Sequence, residues 1–259
     1  MIDTPLDGLL LLLFGVLTGT LSGILGIGGG LLLVPALILS GVSATVQATA
    51  TSLIGVFLSA TSGSVRNWRA GALNWKMSLT LAGFGIITAQ LGALLGDRLP
   101  DRLLSLGFAL LLVVTIYLMS LRRRLNQSDE RQIEGEAASP YALLPTAGIG
   151  LLAGLLSGLF GVGGGVVMVP LQMLILGESI KAAVRSSLGA IVLIAASGLV
   201  QHTLRGNVLW VPGLCLGLGG IIGAQYGARL LPKLPGRQVN LAFRALLLAM
   251  TVYMVVRTL

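Results

Sequence analysis

The sequence has few charged residues: they make up 10% of its 259 residues, whereas 55% are apolar. A soluble domain usually carries about 25% charged residues, so this composition excludes a soluble globular protein. Apolar runs of about 20 residues, the length of a helix that spans a bilayer, recur along the whole chain. The sequence therefore predicts an all-α integral membrane protein, surrounded by the lipid bilayer.

Residues that commonly carry chemistry are also scarce. Cys215 is the only cysteine, which excludes an intramolecular disulfide and a multi-cysteine metal site. None of the nine acids lies well inside an apolar run, and the only histidine, His202, lies at the end of one, where we interpret it as an interfacial residue. The sequence thus offers no carboxylate route for proton coupling, and we predict no metal and no cofactor.

The first residues lack the basic segment of a cleavable signal peptide, so we expect the first apolar run to belong to the mature fold.

The chain is an internal duplication. Adding 135 to a position in the first half gives its counterpart in the second without gaps, as in Gly19 and Gly154, Trp75 and Trp210, and Gln90 and Gln225. We predict a first unit at 1–124, a linker at 125–140 and a second unit at 141–259. In each unit, three consecutive glycines interrupt an apolar run and are followed by four apolar residues and a proline. These two glycine breaks lie within residues 23–35 and 158–170.

Each unit is predicted to contain a broken helical hairpin and three full transmembrane helices. The predicted segments are 6–25, 31–39, 44–65, 72–95 and 103–121 in the first unit, and 143–160, 166–176, 180–201, 208–230 and 239–256 in the second. If the hairpins make no net crossing, 13 of the 17 bases fall on one side of the membrane and 4 on the other. With four crossings per unit the split is 9 to 8. The positive-inside rule therefore favours inverted repeats, with the linker in the cytoplasm and both termini outside. Five crossings per unit would give the same sidedness, so a re-entrant hairpin and two full spans both remain open.

The positive-inside rule also explains the net charge of +8, and we predict no nucleic-acid partner.

The two glycine breaks are the predicted substrate site. Inverted repeats with discontinuous helices bind substrates near the midplane of secondary transporters. The free N–H groups at a helix start favour an anion, and glycine lets the ligand approach the backbone closely. The predicted site residues are the N–H groups of Gly28, Gly29, Gly30, Leu31, Gly163, Gly164, Gly165 and Val166, and the side chains of Thr51, Ser52, Arg185, Ser186, Ser187, Gln90 and Gln225.

Further hydroxyl and amide side chains that could add hydrogen bonds to the site are those of Thr20, Ser22, Thr49, Ser157 and Gln172. Each polar side chain also has a structural interpretation. Ser and Thr commonly mediate close helix packing in membranes. Arg185 replaces the Ala50 of the first unit and lies about five residues into its predicted span, so it either reaches back to the cytoplasmic interface or points inward as an anion ligand. Gln90 and Gln225 lie deep in apolar runs, where an amide needs partners.

The duplicated glycine motif, the Ala48–Leu53 segment and the Gly-Ala-Gln-Tyr-Gly run at Gly223, with Thr-Ala-Gln-Leu-Gly at Thr88, carry a resemblance to a known family. The chain resembles the TauE/SafE family of sulfite and organosulfonate exporters over nearly its whole length. The resemblance implies a bacterial cytoplasmic-membrane permease that moves small sulfur-containing anions, usually outward. The family's second unit commonly has a small residue where this chain has Arg185.

Three other functions are alternatives to a transporter of small anions. A nucleotide-binding enzyme is disfavoured because residues 26–30 lack the G-x-G-x-x-G spacing and the βαβ context. An anion channel of the same fold and a membrane scaffold without transport both remain open, as does assembly into a homo-oligomer.

Overall fold

The computed structural model describes residues 5–42, 44–128 and 143–258, and these residues form ten α-helices. The first unit contains α1 (Pro5–Leu25), α2 (Gly30–Leu39), α3 (Thr45–Arg69), α4 (Trp75–Arg98) and α5 (Asp101–Ser128). The second contains α6 (Leu143–Phe160), α7 (Gly165–Ile175), α8 (Ile180–Leu204), α9 (Trp210–Leu230) and α10 (Gly236–Thr258), with a short 3-10 turn before α10.

The prediction of an all-helical fold is confirmed, and every predicted segment is a helix. The differences lie at helix ends: α3 continues to Arg69 and α8 to Leu204. The predicted ends mark where the apolar run stops, whereas the helical hydrogen bonds continue through the polar residues that follow. α5 continues through Ser128, into the predicted linker. The remainder of that linker, 129–140, and the N-terminal residues 1–4 lie outside the described residues.

Two helix pairs join the units through glycine. Gly154 of α6 lies directly on Gly85 of α4, and the equivalent Gly19 of α1 lies on Gly220 of α9. In both pairs the glycines of α1 and α6 recur every four residues, which places them on one helix face. Because lipid tails are as apolar as leucine, the hydrophobic effect does not drive helices together inside a membrane. Close van der Waals contact between the backbones stabilises such pairs. The two units are therefore interlocked, each packing its first helix on the fourth helix of the other.

The equivalent helices α3 and α8 cross at the centre of the protein. A Cβ added to Gly63 would lie 3.4 Å from Leu188, and a Cβ added to Gly198 would lie 3.3 Å from Leu53. The second half of each helix thus packs on the first half of the other, so α3 and α8 run in opposite directions. This is the relation that the inverted-repeat prediction requires. The orientation of the two units in a membrane stays a prediction.

The α1–α2 pair is a helical hairpin with a short second arm. α1 and α3 both run parallel to α9, because Gly15 meets Leu216 and Ser59 meets Gly220. α2 runs the other way, back beside the first half of α3, where Leu33 contacts Gly55. Ten helical residues are about 15 Å long, half the thickness of the hydrocarbon core. α2 therefore cannot cross the membrane, which favours the hairpin over two full spans.

The outer surface is apolar, as contact with lipid requires. Six of the described helices are long and apolar enough to cross a membrane: α1, α3, α4, α6, α8 and the stretch from α9 to Lys233. Large apolar side chains on them are exposed, including Leu144 at 86%. Trp68, Trp75 and Trp210 are also exposed, at helix ends, where tryptophan occupies the membrane–water interface. The chain is thus a multi-pass membrane protein.

The packing of α4 on α6 predicts that Gly154→Ala lowers the stability of the protein. The new methyl group would overlap the carbonyl oxygen of Gly85 and the Thr88 hydroxyl, so the helices must separate. Overpacking of this kind costs about 1–3 kcal/mol, which we expect to lower the melting temperature in detergent. Gly148→Ala is the matched control, since a methyl group at that position on the same helix meets nothing within 4 Å. Equal melting temperatures for the two variants would contradict the interlocked packing.

Candidate functional site

The glycine breaks are built by backbone conformations that other residues avoid. Gly29 and Gly164 are the residues before α2 and α7, and their φ angles are 83° and 76°. Left-handed φ values of this kind are strained for residues with a Cβ. The chain therefore turns sharply at the end of α1 and of α6, and a new helix starts inside the protein.

The two breaks lie against each other at the centre of the molecule. A Cβ on Gly30 would overlap the carbonyl oxygen of Gly161, and a Cβ on Gly165 would overlap that of Gly26. One break thus contacts the other through backbone atoms. The predicted glycines, together with Leu31 and Val166, are all buried and are brought together.

Two apolar side chains pack on both breaks. A Cβ on Gly28 would lie 2.9 Å from Val56, and one on Gly163 would lie 2.6 Å from the same side chain. Ile191, the repeat equivalent of Val56, also contacts both breaks, at 3.2 and 3.1 Å. Val56 belongs to α3 and Ile191 to α8, so the crossing of these helices fills the space around the breaks.

The N–H groups at the breaks lack acceptors. Among the described residues, no backbone or side-chain oxygen pairs with the N–H groups of residues 28–31 or 163–166, whereas the first N–H groups bonded in α2 are those of Leu32 and Leu33, to Gly29. An unpaired buried N–H group costs about 1–3 kcal/mol, and several aligned at a helix start attract negative charge. The breaks therefore offer two sets of donors suited to a small anion.

Two serine side chains donate hydrogen bonds to carbonyl groups of the breaks and so hold the breaks in place. Ser52 Oγ donates to the carbonyl oxygen of Gly161 at 2.9 Å and to that of Thr49 at 2.7 Å. Ser59 Oγ donates to the carbonyl oxygen of Gly28 at 3.0 Å. Ser52 was predicted in the site and Ser59 was not. Because these bonds use the carbonyl groups, they leave the N–H groups of the breaks free.

A buried polar network distinguishes the second unit from the first. Ser186 Oγ donates to Gln172 Oε1 at 2.6 Å, and Gln172 Nε2 donates to Ser187 Oγ at 2.8 Å and to the Met168 carbonyl oxygen at 3.2 Å. All three polar side chains are buried. The first unit has Leu37 at the position of Gln172, so the two halves of the central region differ in polarity.

Arg185 lies next to this network and close to the first break. The preceding residue, Val184, packs its backbone on Gly26, where an added Cβ would lie 2.7 Å away. The Arg185 side chain is partly buried, and its Nε is buried without a hydrogen-bond partner among the described residues. An unpaired guanidinium N–H is a donor available to an anion.

Three other predicted residues do not contact the breaks. Thr51 Oγ1 accepts a hydrogen bond from the N–H of Leu209 at 3.0 Å, which stabilises the start of α9. Gln225 Nε2 donates to the carbonyl oxygen of Ser62 at 3.0 Å, between α9 and α3. Gln90 is exposed on the outer face of α4. The repeat relation of the two glutamines thus does not place them at the site.

Further buried polar side chains lie near the breaks, at positions related by the repeat. Ser22 and Ser157 are repeat equivalents in the last turns of α1 and α6, and the hydroxyl groups of both lack partners among the described residues. His202, interpreted as an interfacial residue, lies in the last turn of α8 with its side chain 1% exposed, because its ring packs against the end of α6. Its repeat equivalent, Asn67, is buried as well. The shared register pairs His202 with Asn67, and this pairing is the signal in the sequence that could have identified the two residues.

The described residues do not bring together three His, Cys, Asp or Glu side chains that could hold a metal ion. The donors at the centre are backbone N–H groups, hydroxyl groups, an amide and a guanidinium group. This donor set suits an anion or a neutral polar ligand, and none of these groups supplies a nucleophile paired with a base.

Comparison with known families shows which family the chain belongs to. A family profile described as Sulfite exporter TauE/SafE matches residues 11–254, nearly the whole chain. The chain belongs to the TauE/SafE family. It is therefore a membrane transporter, and the resemblance seen in the glycine motifs is confirmed.

Relatives of the TauE/SafE chain come from bacteria and archaea. It is 27% identical to the probable membrane transporter protein YunE of Bacillus subtilis, over 92% of this chain and 94% of that protein. It is 29% identical to the probable membrane transporter protein MJ0441 of Methanocaldococcus jannaschii, over 74% and 71%. It is 28% identical to a probable membrane transporter protein of Xylella fastidiosa, over 94% and 93%. No solved structure matches the chain significantly.

The position of Arg185 predicts that Arg185→Leu weakens anion binding. A hydrogen bond to a charged group contributes about 1.5–3 kcal/mol, so we expect the dissociation constant for sulfite to rise roughly 10- to 100-fold. The shift of the melting temperature with sulfite concentration measures this constant. Arg229→Leu, which removes an exposed base from α9, is the control. Unchanged affinity in Arg185→Leu would contradict the ligand role and support an arginine that reaches to the interface.

Proposed function

We propose that the protein is a secondary transporter that exports small sulfur-containing anions, such as sulfite or organosulfonates, across the bacterial cytoplasmic membrane. The anion binds between the two glycine breaks, and the two units expose this site to each side in turn. The description of the family supports the substrate class. The contact between two discontinuous helices, one from each repeat, supports the mechanism, because secondary transporters bind substrates at such interfaces.

The proposal rests on two neighbouring sets of N–H groups, one in each glycine break, that have no acceptor among the described residues. Each break presents four consecutive N–H groups, from residues 28–31 and 163–166, that have no acceptor among the described residues. Both sets are buried in the centre of a protein surrounded by lipid, where unpaired backbone groups require a partner or a water-lined cavity. A tetrahedral or pyramidal oxyanion carries several acceptor oxygens and can bond to both sets. Arg185 and the Gln172 network make the two halves unequal.

The packing around the breaks favours a carrier over a channel. Val56 and Ile191 contact both breaks, so apolar side chains occupy the region through which a continuous pore would pass. Passage of an anion then requires α3 and α8 to separate on one side at a time. A carrier that alternates in this way saturates with substrate and exchanges it across the membrane.

We further propose that the linker is cytoplasmic and both termini are outside. The directions of the described helices support this orientation. The ends of α3 and α9 and the start of α8 lie on one face, and they carry Arg69, Arg229 and Lys181. The same face carries Arg66, Lys76, Lys233 and Arg237 as well. The opposite face carries Arg98, Arg102, Arg205 and, in the last turn of α10, Arg257. The more basic face is cytoplasmic by the positive-inside rule.

Counterflow in proteoliposomes tests the proposed function. Liposomes loaded with unlabelled sulfite should take up external labelled sulfite transiently above equilibrium, and the initial rate should saturate. Gly30→Ala should abolish this uptake, because its methyl group would overlap the carbonyl oxygen of Gly161 and force the two breaks out of their present arrangement. Gly83→Ala is the matched control, since a methyl group there meets nothing within 4 Å.

The other outcomes of the counterflow experiment identify the alternatives. Uptake that rises linearly with concentration and never exceeds equilibrium would support a channel. The absence of uptake for sulfite, sulfate and alkanesulfonates, together with no change in melting temperature on adding any of them, would support a scaffold. Uptake by Gly30→Ala equal to that of the Gly83→Ala control would place the anion site away from the breaks.

A further inference from the structure

His202, the single histidine of the chain, is buried, and one of its ring nitrogens has no hydrogen-bond partner among the described residues. Nε2 lies 3.0 Å from the carbonyl oxygen of Gly158, and Nδ1 is buried without a hydrogen-bond partner among the described residues. A carbonyl oxygen can only accept, so Nε2 carries the proton in the neutral ring. Nδ1 is therefore an unprotonated nitrogen with a free lone pair.

The carbonyl group that holds His202 belongs to the end of a helix at a glycine break. Gly158 is in the last turn of α6, three residues before Gly161. The last four carbonyl groups of a helix have no partner within it, and together they carry about half a negative charge. This end of α6 therefore stabilises a positively charged imidazole.

Burial of the ring opposes its charged form, whereas the bond to the Gly158 carbonyl group and the nearby charge of Asp97 favour it. Asp97 of α4 faces the ring, and its charge acts on it. Asp97 accepts hydrogen bonds from Arg205, at the end of α8, at 2.8 Å and from Asn207 at 2.9 Å. Helices α6 and α7, and the first half of α3 that packs beside this end of α8, have no titratable side chain, and Arg66, Arg69, Arg237 and Arg244 belong to the opposite face of the protein.

We propose that His202 Nδ1 is a proton-binding site linked to anion binding at the glycine breaks. Neutral imidazole takes one proton from solvent on the face that carries Asp97 and becomes imidazolium, while Nε2 keeps its bond to Gly158. The positive charge attracts the anion held by the adjacent break. By linkage, the bound anion raises the proton affinity of Nδ1 by the same factor. This inference rests on the proposed function, because it requires an anion at the breaks.

The repeat supplies a reason for the asymmetry. The first unit has Asn67 where the second has His202, and Asn67 is buried too but cannot be protonated in this range. Only one of the two faces thus carries a proton site. Linked protonation on one side gives the transport cycle a dependence on the pH of that side.

Nitrogen NMR measures the proton directly, because the chain contains a single histidine. In tag-free protein labelled with ¹⁵N-histidine, we expect one imidazole signal set, with the proton on Nε2 at high pH and on both nitrogens as the pH falls. Addition of methanesulfonate, which stays ionised throughout, should move the transition to higher pH. A neutral ring protonated on Nδ1, or a transition that methanesulfonate leaves in place, would overturn the proposal.

Counterflow of labelled methanesulfonate provides the functional test, with equal pH on both sides of the membrane. In the wild type, the KM should rise at least about fivefold between about pH 5 and pH 8, the range in which histidine titrates. His202→Gln can still donate to Gly158 but cannot be protonated, so its KM should stay at the high-pH value. Asn67→Gln, the matched change in the first unit, should keep the wild-type pH dependence.

The outcomes separate this proposal from the proposed function. No methanesulfonate counterflow by the wild type at any pH overturns both for this class of anion. Counterflow with a KM independent of pH, or equal pH dependence in folded His202→Gln, overturns the proton site and leaves the transporter in place. If His202→Gln does not fold, the NMR titration of the wild type decides.

Discussion

The fold is organised by the need to accommodate free backbone N–H groups far from water. Each glycine break ends one helix and starts another inside the protein, which leaves the N–H groups of residues 28–31 and 163–166 without acceptors among the described residues. Such groups are tolerated at membrane depth only when protein or a ligand surrounds them. The crossing of α3 and α8 and the glycine contacts of α1 with α9 and α4 with α6 enclose both breaks. The packing and the proposed anion site are thus consequences of the same constraint.

The duplication gives the site two halves, and a few substitutions make them unequal. Val56 and Ile191 are equivalent and both fill the centre. Gln172 and Arg185 introduce polarity into the second unit where the first has Leu37 and Ala50. His202 adds a titratable group where the first has an asparagine. A symmetric scaffold can expose its site to either side, whereas these unequal residues determine which ligand and which conditions favour each side.

The sequence predicted the helices, the repeat and the glycine breaks because each depends on local composition or on a fixed register. It could not predict which side chains face the breaks. Gln90 and Gln225 lie in helices that are apolar on all faces, so the pattern contains no signal for the rotation of the helix, and one is exposed while the other bonds to Ser62. The burial of His202 depends on how its ring packs against the end of α6. The partners of Thr51 and Ser59 depend on contacts between distant segments.

The central claim is that one anion bridges the two breaks, and anomalous diffraction tests it most directly. Crystals of the protein soaked with selenite, the selenium analogue of sulfite, should show an anomalous peak within hydrogen-bond distance of the N–H groups of residues 28–31 and 163–166. The peak should disappear when excess sulfite is added. A selenium peak that lies elsewhere and is displaced by sulfite, in protein active in counterflow, would contradict the account.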